Sequence, residues 1–500
     1  MMSGILKYTA IFASATMVSR FLGLFRDMLF AYYFGRSGEY DAYIIAILLP
    51  FFLRRIFAEG AFSTVFIPLY NRKKGKEADL FASTAINILF LITFSLYILV
   101  FFYSPIFAKI LGSGLDKEYL NLSAFLMKIT FPFITFISIW SIFASILHNE
   151  SNFFISGVSP AITNVFTILG ILFSVYFPIK ILGPTIGFLL GGFFQLFFVY
   201  IYVHKKKYFK YYPVIKKDYI NEIMVMFIPA LFGVAISHIN SIVDTNVATW
   251  TGEGGVATIQ YALRLYQLPL AIFSVSIANV ILPRLSKLSA KDDMENFVKE
   301  FKEAIIISLF LTIPAASGLI ILSKEIIKLI YQHGSFTSND TTATAYTLIA
   351  YSIGIVFYSI HGILVRNYYS KLDSKKPTKI SFIMVTINII LDIILAKYFG
   401  TAGIGLATSI SGMIGMIILG WDLFAHFDKN DIIEVLKIFI ASFIMGTILY
   451  ISKKLYISNI YTLILVIEGM IIYAVAAYLL NCKYFTEISK MLKNKLKKNG

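Results

Sequence analysis

Long apolar runs separated by short polar turns recur along the whole chain. Most of the runs are about 20 residues or longer, which is the length that an α-helix needs to cross the hydrocarbon core of a bilayer. A membrane β-barrel would instead show short segments in which apolar and polar residues alternate. The pattern therefore predicts an all-α polytopic membrane protein of about 14 transmembrane helices.

The predicted spans are residues 5–34, 41–70, 80–111, 119–148, 152–177, 183–204, 219–250, 256–285, 298–323, 340–370, 378–399, 401–426, 431–452 and 457–481. The first span contains Arg20, Arg26 and Asp27 and has no small-residue cleavage site, so it is predicted to be a retained helix and not a signal peptide. Residues 323–340, which connect the ninth and tenth spans, predict an amphipathic segment at the membrane interface.

The composition agrees with a membrane protein. Of the 500 residues, 58% are hydrophobic and 14% are charged, whereas soluble domains contain about 25% charged residues. The net charge of +16 would be compatible with nucleic-acid binding. However, Lys and Arg are concentrated in alternate connections between the spans, which is the positive-inside pattern. The pattern predicts both termini in the cytoplasm and no nucleic-acid partner, and with Cys482 as the single cysteine no internal disulfide can form.

Prolines and glycines indicate an internal repeat. Pro160 and Pro377 are 217 residues apart, as are Gly183 and Gly400. An offset that equals six spans predicts two parallel six-helix lobes, an arrangement typical of transporters with the substrate path between the halves. The predicted domains are an N-lobe at 1–210, a C-lobe at 211–428, two extra C-terminal helices at 429–482 and a basic cytoplasmic tail at 483–500.

Several arginines occur within or beside the apolar spans and are candidates for substrate binding. A charged side chain at membrane depth is unfavourable by about 3 kcal/mol on insertion scales, so it usually faces a cavity and has a function. The guanidinium group matches phosphate and carboxylate oxygens, so several of them around one cavity would bind a polyanionic head group such as a diphosphate. The candidates are Arg20, Arg26, Arg54, Arg264 and Arg366, of which Arg366 has a positive-inside anchor as an equal alternative.

Acidic residues near these arginines are predicted to hold them in place or to act as gates that exchange partners. These candidates are Asp27, Asp41 and Glu59, together with the hydroxyl of Ser19. Arg55 and Glu59 have the i,i+4 spacing of a helical ion pair. An alternative explanation is therefore an Arg–Glu pair that only neutralises itself between helices.

A second group of polar residues predicts a cation site. Asn388 and Asp392 lie four residues apart and therefore on one face of a helix, and Asp244 and Thr408 lie in other apolar spans. Carboxylate, amide and hydroxyl oxygens are hard ligands that suit a small cation, so a sodium site that drives conformational change is one hypothesis. An interhelical hydrogen-bond cluster and a protonatable pair are the two alternatives.

Motifs of enzymes are not found in the sequence. Residues 75–80 lack the glycines of a phosphate-binding loop, and neither a nucleophile elbow nor zinc-ligand spacing occurs. A transporter without a cofactor, other than Na⁺ as a possible coupling ion, is therefore expected. A membrane-embedded transferase would need an acidic metal-binding loop, and a passive scaffold would not need charges inside its spans.

The sequence closely resembles the MurJ (MviN) family of the multidrug/oligosaccharidyl-lipid/polysaccharide exporter superfamily. The motifs that carry the resemblance are SRFLGLFRD at 19–27, DAYIIAILLPFFLRRIFAEGAFSTVFIPLY at 41–70 and YALRLYQLP at 261–269. Members of that family are lipid II flippases, so the resemblance implies translocation of the undecaprenyl-diphosphate-linked peptidoglycan precursor from the inner to the outer leaflet by alternating access. It also implies a monomer in the bacterial cytoplasmic membrane, in contact with membrane lipids and with cell-wall synthesis proteins as further partners.

By the same resemblance, Arg26, Arg54 and Arg264 match cavity arginines that contact the diphosphate and sugar. Asp27, Asp41 and Glu59 match charged partners near the outward-facing gate, and the helices of 429–482 match a groove for the lipid tail. The alternatives in function are an exporter of another lipid-linked oligosaccharide and a cation-coupled drug exporter of the same superfamily. A drug exporter would be expected to have an acidic or aromatic cavity, whereas the predicted cavity is basic.

Overall fold

The computed structural model describes residues 2–455 and 461–486. The side chains of residues 2–16, 59, 61, 232, 233 and 235–237 lie outside the described set. The predicted basic tail is outside it from residue 487 onwards. All regular secondary structure in the described residues is helical, and the chain divides into two compact units, residues 1–257 and 258–500.

The helices of the first unit are α1 (Met2–Phe34), α2 (Gly38–Arg54), α3 (Ala61–Asn71), α4 (Lys76–Leu111), α5 (Lys117–Thr130), α6 (Phe133–Asn149), α7 (Phe153–Val158), α8 (Pro160–Leu172), α9 (Leu182–Lys205) and α10 (Lys217–Thr249). A π-helical turn, Arg55–Glu59, joins α2 to α3, and a short 3₁₀ turn, Ser174–Tyr176, follows α8.

The remaining helices are α11 (Gly255–Pro269), α12 (Val275–Ala290), α13 (Met294–Ile321), α14 (Ser323–Tyr331), α15 (Ser338–Ser370), α16 (Lys375–Phe399), α17 (Thr401–Phe424), α18 (Lys429–Leu455) and α19 (Tyr461–Leu479). All but the first residues of α11 belong to the second unit. A second π-helical turn, Leu270–Ser274, joins α11 to α12.

These helices confirm the predicted fold class. Among the described residues, 11 helical stretches are long and apolar enough to cross a membrane. The other predicted spans, 5–34, 41–70 and 219–250, are also helical, and the π-helical turn divides the second of them. The short helix α14 lies in the segment for which an amphipathic interfacial structure is predicted, and its apolar residues Ile327 and Tyr331 are buried.

The division into compact units differs from the predicted lobes. The first unit extends to Ala257 and includes α10, because α10 packs on α3 and α4. The end of α10 is also hydrogen-bonded to the turn after α4, where Gly114 N–H donates to Thr249 Oγ1 at 2.9 Å. The predicted lobes were derived from the spacing of a sequence repeat, whereas the compact units reflect contacts between helices. The contacts do not test the repeat, so the lobes stay a prediction.

The second predicted span contains two prolines, and neither of them interrupts the helix. Pro50 lies inside α2 and Pro68 inside α3, and the interruption is the π-helical turn between them. Proline has no N–H, so Pro50 cannot donate to the carbonyl of Ala46 one turn earlier. The hydroxyl of Thr130 on α5 donates to that carbonyl instead, at 2.9 Å. A neighbouring helix therefore satisfies the acceptor that proline leaves open.

The same arrangement occurs in the second unit. Pro314 lies inside α13 and leaves the carbonyl of Phe310 without its helical donor. The hydroxyl of Tyr473 on α19 donates to this carbonyl at 2.7 Å. This bond ties the C-terminal helix pair to α13.

Small residues allow α8 and α9 to approach closely. Gly183, Gly187 and Gly191 are spaced four residues apart along α9 and therefore share one face. A Cβ atom on Gly183 or Gly187 would overlap a backbone carbonyl of α8. Glycine at these positions brings two backbones into contact, as is typical of helix pairs in membranes.

We predict that Tyr473→Phe lowers the free energy of unfolding by about 1–2 kcal/mol, because it leaves the buried Phe310 carbonyl without a donor. Unfolding of the purified protein in detergent micelles would measure the change. The control is Tyr478→Phe on the same helix, where the side chain is 57% exposed and no such loss is expected. Equal stability of the two variants would contradict the proposed role of the bond.

Candidate functional site

Arg26 of α1 is held in place by a partly buried hydrogen-bond network. Its Nε and Nη2 atoms both donate to Asp27 Oδ1, at 3.0 and 2.7 Å, and its Nη1 atom donates to Asn164 Oδ1 of α8 at 3.0 Å. The amide of Asn164 donates in turn to the backbone carbonyl of Ser19 at 3.1 Å. Asp27 is 2% exposed. The network therefore fixes the position of a cation within the first predicted span.

The network leaves hydrogen-bonding capacity on Arg26. A guanidinium group has five N–H donors, and the three bonds to Asp27 and Asn164 use three of them. Within the described residues, two N–H groups of Arg26 are thus available to an anionic ligand. Asp27 orients the guanidinium and lowers the unfavourable energy of burying it, because the two charges are in direct contact.

Arg20, Arg54 and Arg55 of the first unit lie in different local settings. Arg20 is exposed on α1, six residues before Arg26. Arg54 is the last residue of α2, and its guanidinium lies 6.0 Å from the centre of the Phe51 ring. Arg55, the first residue of the π-helical turn, contacts Nδ1 of His238 on α10 at 2.6 Å. Since arginine can only donate, Nδ1 of His238 is the acceptor.

Two of the acidic residues that were predicted to lie near the arginines are Glu59 and Asp41. The side chain of Glu59 lies outside the described residues, so its predicted pairing with Arg55 stays a prediction. Asp41 is fully buried, and its two carboxylate oxygens accept hydrogen bonds from the backbone N–H groups of Gly254 and Ala257, at 2.8 and 2.7 Å. These groups lie at the start of α11, so Asp41 caps that helix and stabilises its positive end.

In the second unit, the two candidate arginines occur on different helices. Arg264 lies on α11, six residues before the second π-helical turn, and is half-buried. Arg366 is half-buried near the end of α15, close in sequence to Lys371 and to Lys375 and Lys376 at the start of α16. Its position fits both the substrate-binding role and the anchor alternative. Both alternatives for Arg366 therefore remain predictions.

The candidate sodium ligands are buried. Asp244 is 8% exposed on α10, in the first unit. In the second unit, Asn388 and Asp392 are buried on consecutive turns of α16, and the amide of Asn388 donates to Asp392 Oδ1 at 3.4 Å. Thr408 is buried on α17, which packs against α16. Their side chains offer oxygen atoms, which are the ligand type that a small cation such as Na⁺ prefers. The sodium site stays a prediction.

Sequence reasoning missed Asn164 and identified no partner for His238. Asn164 is a single amide inside an apolar span, and such a residue usually bonds to another helix, but the sequence does not show which helix is its neighbour. A histidine within a span indicates hydrogen bonding, yet Arg55 is 183 residues away in sequence. Both contacts depend on tertiary packing.

Comparison with known proteins places the chain in a family. A family model described as "Lipid II flippase MurJ" matches residues 30–475. A protein of Thermotoga maritima named "Probable lipid II flippase MurJ" is 35% identical over 488 residues, which cover 97% of this chain and 98% of the relative. The "Lipid II flippase MurJ" of Thermosipho africanus is 39% identical, over 94% of this chain and 96% of the relative.

Solved structures agree with this relationship. A structure described as "Lipid II flippase MurJ, inward closed conformation" has a TM-score of 0.84 and 39% identity, and the match covers 94% of this chain and 98% of that chain. An inward-facing multidrug resistance transporter of the MATE family has a TM-score of 0.70 at 13% identity, over 83% of this chain and 98% of that chain, which shows a shared fold alone. The chain therefore belongs to the family of MurJ lipid II flippases.

Proposed function

We propose that this protein moves lipid II from the inner to the outer leaflet of the bacterial cytoplasmic membrane by alternating access. Membership of the flippase family supports lipid II as the substrate. The oriented guanidinium of Arg26 supports binding of the diphosphate in its head group. A diphosphate offers several anionic oxygens, and the planar donor fork of arginine binds such oxygens through paired charge-assisted hydrogen bonds. The polar head group is proposed to bind to the candidate arginines while its lipid tail stays in the bilayer.

The two free N–H groups of Arg26 are proposed to be the part of the site that is ready before substrate arrives. Asp27 and Asn164 already hold the guanidinium, so less side-chain entropy is lost when a ligand binds. Arg20, Arg54 and Arg264 complete the proposed set in both units. Alternating access further requires that the head group binds the two conformations with different affinity, since only differential affinity shifts the equilibrium.

The drug-exporter alternative has less support. A MATE transporter shares the fold with this chain at 13% sequence identity. A similarity at this level does not indicate a shared substrate. A carrier of cationic drugs would need acidic or aromatic groups around its substrate, whereas the candidate set here is made of arginines. An exporter of another lipid-linked oligosaccharide would use the same diphosphate chemistry, so the choice between these two substrates needs a direct transport assay.

We predict that Arg26→Ala fails to rescue cells depleted of their own lipid II flippase, whereas wild type rescues them. Loss of charge-assisted hydrogen bonds of about 1.5–3 kcal/mol corresponds to binding that is tenfold to a hundredfold weaker. The control is Arg284→Ala, which removes an exposed guanidinium paired with Glu300 at 3.4 Å and should still rescue. Membrane levels of each variant are measured in parallel.

The outcomes of this assay separate the alternatives. Rescue by well-expressed Arg26→Ala would contradict the proposed role of the guanidinium. If wild type fails although it is present in the membrane, reconstituted vesicles that contain either lipid II or another diphosphate-linked oligosaccharide would identify the substrate. Accessibility of the head group from the outer side of the vesicle is the readout.

We further propose that both termini lie in the cytoplasm. The distribution of Lys and Arg supports this topology. A cysteine-free background made by Cys482→Ala allows a direct test, because Cys482 is the single cysteine. An impermeant thiol reagent added to intact cells should label Tyr176→Cys, in the exposed connection after α8, and should not label Lys74→Cys, in the exposed connection after α3. The opposite labelling pattern would reverse the topology.

Na⁺ is proposed as the coupling ion, held by Asp244, Asn388, Asp392 and Thr408. The alternatives are a packing cluster and a protonatable pair. If Na⁺ binds, it should raise the unfolding temperature of the purified protein, by an amount that corresponds to about 2.7 kcal/mol at a hundred times the dissociation constant, while K⁺ should have little effect. The replacement Asp392→Asn is expected to abolish this Na⁺ response.

A matched control is available on the same helix. Thr386→Val removes a hydroxyl from the exposed side of α16, where it only donates to the carbonyl of Phe382, and the Na⁺ response should be retained. A wild-type protein that shows no difference between Na⁺ and K⁺ would favour the packing cluster. Stabilisation that depends on pH and not on Na⁺ would favour the protonatable pair.

A further inference from the structure

A cavity of about 690 Å³ lies at one end of the first unit. The end of α1, the first turn of α2, the start of α5 and the turn before α9 line it. Its size is in the range of small-molecule sites, about 300–1,000 Å³. None of the candidate arginines described above is among its lining residues. The cavity is therefore separate from the proposed diphosphate site.

One wall of the cavity is fixed before any ligand binds. The hydroxyl of Tyr119 donates to Glu253 Oε1 at 3.0 Å, and the same oxygen accepts the backbone N–H of Gly38 at 2.9 Å. A Cβ atom on Gly38 would overlap the Tyr119 ring, so glycine at this position lets the ring lie against the backbone. Glu253 and Gly38 therefore orient the aromatic ring of Tyr119.

The charges in the cavity favour a cation. Glu39 and Glu118 line it together with a single basic residue, Lys180, which leaves an excess of negative charge. Both glutamates lie in the first turn of a helix, where a carboxylate is favourable. Neither of them forms an ion pair with another described residue. Their charges are therefore available to a ligand.

The aromatic residues indicate which kind of cation would fit. Tyr33, Phe34, Tyr119 and Phe125 line the cavity, and the faces of aromatic rings attract organic ammonium groups. A metal ion would need several oxygen, nitrogen or sulfur ligands at one point. Across the part of the chain that the structure describes, no group of three His, Cys, Asp or Glu side chains is placed to hold one.

We propose that this cavity binds an organic ammonium ion. The ammonium group pairs with Glu39 and Glu118, and the apolar body of the ligand packs on the rings of Tyr119 and Phe125. Pre-orientation of Tyr119 lowers the entropy lost on binding. The proposal does not depend on the transported substrate, and it adds a ligand site at an end of the first unit.

The test uses the purified full-length protein in detergent micelles and measures binding of cadaverine by calorimetry and by the shift in unfolding temperature. Pentane-1,5-diol, with the same chain length and no charge, and glutarate, with the opposite charge, serve as comparison ligands. Cadaverine should bind the wild type and raise its unfolding temperature, whereas the two comparison ligands should not. Added NaCl should weaken the binding because the pairing is electrostatic.

Matched variants assign the interaction to the cavity. The double variant Glu39→Gln, Glu118→Gln should bind cadaverine at least about tenfold more weakly. Lys180→Gln removes the opposing charge and should bind it as tightly as the wild type or more tightly. Glu295→Gln, a first-turn carboxylate of α13 in the second unit, should bind it unchanged.

Three results would overturn the proposal. The first is equal binding of cadaverine and pentane-1,5-diol, which would mean that only apolar contact is involved. The second is unchanged binding of cadaverine by a double variant whose unfolding temperature without ligand equals that of the wild type. The third is stabilisation by CaCl₂ and not by cadaverine, which would mean a metal site.

The proposal can be tested even if the double variant folds poorly. Tyr119→Phe keeps the ring but loses the hydrogen bond to Glu253, so it should weaken cadaverine binding less than Tyr119→Ala does. Equal binding by these two variants would contradict the role of the aromatic wall. Because the readout is binding of cadaverine, failure here leaves the flippase proposal untouched, and failure of the rescue assay leaves this one untouched.

Discussion

Every backbone polar group inside an apolar span needs a partner within the protein, and this constraint explains much of the packing. Water is absent from the hydrocarbon core, so an open carbonyl there costs several kcal/mol. Pro50 and Pro314 each leave one backbone carbonyl without its helical donor. These two carbonyls accept hydrogen bonds from the hydroxyl groups of Thr130 and Tyr473. In the π-helical turn, the carbonyl of Phe57 accepts from the hydroxyl of Ser141 at 3.2 Å. Irregular backbone in this fold is thus tolerated where a neighbouring helix supplies a donor.

The same requirement applies more strictly to charges, and two solutions occur in the first unit. Arg26 is paired with a neighbouring carboxylate and donates a hydrogen bond to an uncharged amide on another helix. Asp41 is stabilised by backbone N–H groups at a helix N-terminus, which carry partial positive charge. The difference matters for function: the first solution leaves donors for an anionic ligand, whereas the second uses both carboxylate oxygens of Asp41 and fixes the start of α11.

The sequence was sufficient to predict the fold class and the positions of the long apolar helices, because helix length and apolar composition are local properties. It also predicted the position of α14, whose amphipathic pattern is visible in nine residues. Partners that lie far apart in the chain could not be predicted. Asn164 is 138 residues from Arg26, and the backbone groups bound by Asp41 are more than 200 residues away from it. The periodic pattern of apolar and polar residues does not predict such pairs, since they depend on which helices pack together.

The second span shows why helical periodicity fails at a π-helical turn. An α-helix advances about 100° per residue, so one extra residue in a turn rotates everything that follows by about that angle. The backbone from Arg55 to Glu59 forms such a turn, so the i,i+4 rule of the α-helix, on which the predicted Arg55–Glu59 pair was based, does not apply to it. The second π-helical turn begins at Leu270, 215 residues after Arg55, which is the spacing between Pro68 and Pro283. The spacing of the two π-helical turns is close to the 217-residue offset of the predicted repeat and therefore favours that repeat, because an irregularity at a similar position in both copies would rotate the helix that follows by a similar angle.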